Sequence, residues 1–164
     1  MKIGFLVDHP ECRDTLAGWY LSEWPWLYDE ASTPYRDFDA CRHRDQPDCT
    51  LLGFVEDRLV ATASLLIDDM LPFPEYSPWL ASVTVDPALR GRGLGKQIVL
   101  AATNHARQIG ILGLYLWTPH HREFYEKLSW RFVRDHLHEN HACSILWIPL
   151  LENPVNPGNP GNSV

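Results

Sequence analysis

Apolar and polar positions recur along this chain with two periods, and the switches between them mark its elements. Lys2 to Val7 reads as a first strand, closed by Asp8. Asp14 to Tyr28 places Leu16, Trp19, Tyr20, Trp24 and Leu27 at helical intervals, with Pro25 expected to end or kink the helix near Trp24. Pro34 suits the first turn of a short helix to about Arg44, with Tyr35, Phe38 and Cys41 or Arg42 on one side. Two β-rich runs, Thr50 to Val55 and Leu59 to Ile67, are joined by Glu56-Asp57-Arg58 as in an antiparallel hairpin. Residues 68–78 hold Pro72, Pro74 and Pro78 with the carboxylates Asp68, Asp69 and Glu75, a stiff non-helical loop before the strand Trp79 to Val85. Asp86-Pro87 stops that strand. A helix follows from Lys96 to Ile109, with Leu94, Ile98, Ala101, Ala102, His105 and Ile109 tracing one face and Gly110 as cap. A strand Ile111 to Trp117, a short helix His120 to Leu128 and strands Trp130 to Asp135 and Cys143 to Leu150 complete the order β-α-α-β-β-β-α-β-α-β-β.

Residues 152–164 are biased to Pro, Gly and Asn with nothing to bury, so a disordered tail is expected after a single folded domain over 1–151. A net charge of −7 argues against nucleic acid as partner, because that binding rests on neutralising phosphates with Lys and Arg. It mildly favours a cationic partner. No apolar run reaches the length of a membrane span and the opening strand is no signal sequence, so a cytoplasmic protein without a membrane partner is expected. Cys12, Cys41, Cys49 and Cys143 lack zinc-type spacing and read as reduced, packed thiols. His136, His138 and His141 lie close in sequence, but no cysteine or further histidine pair completes a metal set; a solvated hairpin is expected and no metal site. Trp19, Trp24 and Trp26 are read as core aromatics that could also wall a pocket.

The candidate chemistry centres on Arg90-Gly91-Arg92-Gly93-Leu94-Gly95-Lys96, between the strand ending at Val85 and the long helix. Glycines at alternate positions let consecutive N–H groups turn inward at a helix N-terminus, a cradle for phosphate or pyrophosphate. It is not a Walker A loop, since Arg90 replaces the first glycine and Gln97 the magnesium-binding hydroxyl. Nor is it a dinucleotide fingerprint: the third glycine comes one place early and Ile111 to Thr118 offers no acidic residue.

The pattern Arg-x-x-Gly-x-Gly after Val85-Asp86-Pro87 resembles the acyl-coenzyme-A signature of the GNAT superfamily of N-acetyltransferases. Leu114 to Trp130, with Phe124-Tyr125-Glu126-Lys127-Leu128, resembles a second motif of that family; Ser129 stands where glycine is common and Thr118 near a common asparagine. The resemblance covers nearly the whole chain. It implies an α/β GNAT fold, with a mixed, mostly antiparallel sheet and a splayed central strand pair. It further implies that the backbone of Val83, Thr84 and Val85 bonds pantetheine and polarises a thioester carbonyl, and that Arg90, Gly91, Arg92, Gly93, Leu94, Gly95 and Lys96 hold the pyrophosphate of acetyl-CoA. Tyr125 is the candidate catalytic acid. For the base, Asp68, Asp69, Glu75, His120 and a water chain stay open. The implied activity is acetyl transfer to a primary amine of a small molecule or peptide, in a monomer or homodimer. A non-catalytic acyl-CoA sensor is the alternative.

Overall fold

A computed structural model describes residues 1–28, 33–70 and 72–150. The tail expected over 152–164, and with it the boundary at 151, lies outside the described residues. The order of elements is the expected one, β1 (Lys2–Phe5), α1 (Arg13–Glu23), α2 (Thr33–Ala40), β2 (Cys49–Val55), β3 (Arg58–Leu66), β4 (Trp79–Val85), α3 (Leu94–Gln108), β5 (Gly113–Thr118), α4 (Arg122–Glu126), β6 (Arg131–His138) and β7 (His141–Pro149). Among the described residues the strands form one sheet in the order β1-β2-β3-β4-β5-β7-β6. Every neighbouring pair is antiparallel except β4 and β5.

Local chemistry accounts for most boundaries. The β2–β3 and β6–β7 hairpins each turn on two residues with positive φ, Glu56 and Asp57 in one and Glu139 and Asn140 in the other, the geometry that matches the twist of paired strands. The first strand is shorter than its apolar run, because Leu6 to Asp8 tightens into a 3₁₀ turn that buries Leu6. Helix α1 stops before Trp24, as Pro25 dictates. Helix α2 ends at Ala40, four residues earlier than expected: Cys41 N still reaches Asp37 O, but Arg42 N turns back to Ala40 O.

Helix α3 begins two residues earlier than its sequence suggests, because Leu94 is already buried against the sheet. Its inner stripe is Leu94, Ile98, Val99, Ala102 and Ala106, rotated slightly from the expected one, so that His105 lies at the flank with its ring 5.0 Å from Phe5. The stripe packs on Leu51, Ala61, Ala63, Leu65, Leu114 and Leu116 in the main core. On the opposite face α1 and α2 cover Leu52 with Leu16, Tyr20, Tyr28 and Phe38. From Val60 to Leu65 strand β3 is thereby buried on both faces, which is why that run is continuously small or apolar.

A third cluster gathers Met70, Phe73 and Tyr76 onto Trp79, Tyr115, Ile145 and Trp147. The proline-rich loop is thus anchored by its own aromatics. Its Phe73 also meets His136 at 4.8 Å, and His138 lies 5.0 Å from Trp117. The expected solvated hairpin is therefore solvated on one face alone, since period two turns both histidines onto the covered side.

Ser129 keeps the turn after α4 by adopting φ 71°, a left-handed conformation that costs a residue with a Cβ. Ser129→Gly is expected to raise stability by up to about 1 kcal/mol. Urea unfolding at constant m-value checks it, and no gain would mean the serine relaxes that strain.

Candidate active site

The site is built where β4 leaves its neighbours. Thr62 pairs with Thr84 and Ser64 with Ala81, so Ser82 and Val83 together oppose Ala63 and have no register partners on β3. Ser82 carries φ 52° in mid-strand, the mark of a bulge that disrupts the ladder and bends the strand. On the other side β4 pairs with β5 only at Trp79 and Tyr115, with one further bond from Tyr115 N to Pro78 O. Beyond that point the two parallel strands part, as expected of a splayed pair. Val83, Thr84 and Val85 consequently present backbone beside a gap, where an extended amide-bearing chain can add as a strand does.

Asp86 closes β4. Its carboxylate accepts from Ala88 N at 2.9 Å and from Arg58 Nη2 at 2.6 Å, and these contacts hold it below the usual aspartate range. The chain then enters the glycine loop. Gly91 and Gly93 both have positive φ, and a Cβ added at either would meet open space. Gly93 caps α3 without any side-chain bond, and the first intrahelical bond is Gln97 N to Gly93 O, so the preceding amides at the helix start have no intrahelical partner. Arg92 and Lys96 are exposed beside it. The loop suits an anion. Gly95 differs from the other two glycines: a Cβ there would touch Val85 Cγ2 at 3.7 Å and Phe124 Cζ at 3.8 Å, ordinary contacts. Arg90 bonds Glu23 Oε2 at 2.6 Å and so ties the loop to the end of α1.

On the far side of the bulge lies a cavity of about 480 Å³, within the range of small-ligand sites. Ser82, Val83 and Tyr125 line it, together with Asp68, Asp69 and His120, whereas exposed Glu75 is outside. Tyr125 comes from α4, and burial pushes its phenol well above the ordinary value. Thr118 sets up that helix by accepting from His121 N at 3.1 Å, a role suited to its hydroxyl. Tyr20, 1% exposed, also faces the cavity; its hydroxyl lies near those of Ser82, Ser64 and Thr62 but bonds to none. Ser64 and Thr62 are engaged elsewhere, with Thr50 Oγ1 at 2.9 Å and Leu51 O at 3.0 Å.

The cavity walls were only partly foreseen. Trp24 and Trp26 line the cavity while Trp19 packs with the α1 core. Trp26 stacks on His141 at 4.1 Å and lies 6.0 Å from Trp117, joining the end of α1 to the β6–β7 hairpin. Asp37, which sequence reasoning missed, accepts from Tyr28 Oη at 2.8 Å, and burial raises its pKa. No sequence signal singled it out, because Asp37 is exposed on α2, where a carboxylate is ordinary. Asp69 accepts from Trp117 Nε1 at 2.7 Å and is pushed up to about 6, first by burial and then by the charge of Asp37. All four cysteines are buried and free, and no metal-ligating group of three forms among the described residues.

Because the folded state raises the pKa of Asp69, ionising it works against folding. The penalty is absent below about pH 4 and grows until the group is charged in both states, above about pH 6. Asp69→Asn, which keeps an acceptor for Trp117, is expected to stabilise the protein at pH 8 by roughly 1–2 kcal/mol and hardly at pH 4. Thermal unfolding at the two pH values decides this; equal shifts would show that the carboxyl is not desolvated.

No helix among the described residues is long and apolar enough to cross a membrane. No curated protein matches the chain in sequence. Among solved structures it resembles aminoglycoside 6'-N-acetyltransferase complexed with coenzyme A, with a TM-score of 0.76 and 16% identity over 94% of this chain and 100% of that one. The aminoglycoside 6'-N-acetyltransferase from Enterococcus faecium superposes with a TM-score of 0.73 and 16% identity over 94% and 100%. Ard1 from Thermoplasma volcanium does so with 0.72 and 13% over 92% and 98%. At these identities the likeness is one of fold. Residues 13–130, which run from α1 through the glycine loop to the turn after α4, match the Acetyltransferase (GNAT) family, and the chain belongs to that family.

Proposed function

We propose that this acyltransferase moves an acetyl group from acetyl-coenzyme A to a primary amine of a small molecule or peptide by direct attack. One observation carries the reading: Val83 and Tyr125 border the same cavity, while the strand bearing Val83 runs on directly into the glycine cradle. The cradle fits a pyrophosphate, since it combines helix-start amides that have no intrahelical partner with space that any Cβ at Gly91 or Gly93 would invade. Gly91 to Lys96 would hold that group, and Val83, Thr84 and Val85 would bond the pantetheine arm. When bound, acetyl-CoA supplies an activated acyl carbon and a thiol leaving group.

The chain's own contribution is positioning and charge. A backbone N–H at the bulge, fixed by the fold, can stabilise negative charge developing on an acyl oxygen without reorganising. Burial keeps the phenol of Tyr125 protonated at neutral pH, so it serves as a donor toward the departing sulfur and not as a base. Of the groups that could take the amine's proton, Asp68, Asp69 and His120 border the cavity, while Glu75 is exposed outside its lining. Arg90 acts indirectly, by fixing the loop through Glu23.

Tyr125→Phe is expected to lower kcat for thiol release about 100-fold with acetyl-CoA affinity retained, the range for loss of one proton-transfer group. An unchanged rate would remove Tyr125 from the chemistry. Gly93→Glu fills the cradle and adds repulsive charge, and calorimetry should detect no acetyl-CoA binding by the folded variant. Retained affinity would place the pyrophosphate elsewhere.

A further inference from the structure

The same cavity contains more negative charge than acyl transfer requires. Glu23, Asp37, Asp68 and Asp69 line it, and no lysine or arginine does so among the described residues. Glu23 is neutralised by Arg90, and Arg36 acts on Asp37 from outside the cavity. Asp37 and Asp69 stand apart from the other two. They come from separate elements, each is held by a neutral donor (Tyr28 and Trp117), and they lie close enough for the charge of one to act on the other. Two like charges at one cavity, Asp69 half-buried and Asp37 exposed, repel each other unless a cation joins them.

That cation is not the attacking amine. An amine must be neutral to attack, and neighbouring carboxylates would hold it protonated. The charge therefore suits a second ammonium on the same acceptor. Trp24, Trp26 and Trp117 border the cavity and offer faces that attract cations. A further sign of a ligand is the Tyr20 hydroxyl, almost wholly buried at this cavity yet without a hydrogen-bond partner; such a group is normally satisfied. It can take a bond from a second polar group of the acceptor.

Resting on the acyl-transfer reading, we infer that the acceptor is a compact di- or polyamine, whose distal ammonium is held between Asp37 and Asp69 within the tryptophan walls while a second, neutral amine faces Val83 and Tyr125. The cavity of about 480 Å³ accommodates such a molecule, and its charge disfavours an acidic peptide N-terminus.

The test compares straight-chain diamines of three to six carbons and spermidine with monoamines of matched length, titrated calorimetrically into the coenzyme-A-saturated protein, with thiol release followed on the same set. At least one diamine or triamine should bind ten-fold or more tightly than its monoamine counterpart. Asp37→Asn, which preserves an acceptor for Tyr28, should remove most of that advantage and leave monoamine binding within two-fold, and Asp69→Asn, which preserves an acceptor for Trp117, should remove most of it in the binding titration. Equal affinities across all pairs, or an advantage untouched by both variants, would overturn the inference while leaving acyl transfer intact. Turnover of acidic peptides and of no diamine would do the same. Tight, carboxylate-dependent diamine binding without thiol release would instead support the anchor and count against the transfer reading on which its role as acceptor site depends.

Discussion

The structure depends on one constraint: β4 must remain part of a continuous sheet while its edge is kept free. Trp79 makes the last pairing with β5, and the bulge at Ser82 breaks the ladder with β3. An edge of unpaired backbone groups at the centre of a sheet is unfavourable unless its flanks are held by other means. They are held by three separate cores. Helix α3 packs on one face, α1 and α2 on the other, and the aromatic loop of Met70, Phe73 and Tyr76 secures the start of β4 against Tyr115 and Trp147. Opposite the gap, the β5–β7 ladder runs without a register shift from Gly113 to Thr118 and keeps the second wall straight.

This arrangement separates two electrostatic environments. At the C-terminal end of β4, the loop and the start of α3 present helix-start amides with Arg92 and Lys96 nearby, a surface for anions. On the other side of the bulge the cavity is acidic and walled by aromatic rings. The strand between them carries no charge of its own; it is a dielectric boundary as well as a scaffold. Arg90 links the two sides mechanically, because its bond to Glu23 joins the anion loop to the helix that ends at the cavity.

Much of this was legible in the chain. The order of elements follows from periodicity and from Pro25, Asp86-Pro87 and Gly110, because these act over a few residues and need no partner. The glycine loop was legible for the same reason: Gly91 and Gly93 are required by local backbone geometry, which leaves its mark at fixed spacing. Even Ser129, odd as a residue, sits at the left-handed position that the surrounding pattern reserves for glycine.

What periodicity left unread is whatever depends on elements meeting from opposite ends of the chain. Asp37 and Asp69 lie on different elements, and only the folded chain brings both to one cavity, where the charge of one acts on the other. Trp26 becomes a cavity wall because His141 stacks on it from the last hairpin, and the Tyr20 hydroxyl is buried without a partner once α1 packs on the sheet. The amino-acid sequence by itself determined the strands, the helices and the glycine loop, whose causes are local sterics and hydrogen bonding. The tertiary structure alone decided the composition and charge of the cavity beside β4, since desolvation and charge proximity arise only once distant side chains share one cavity.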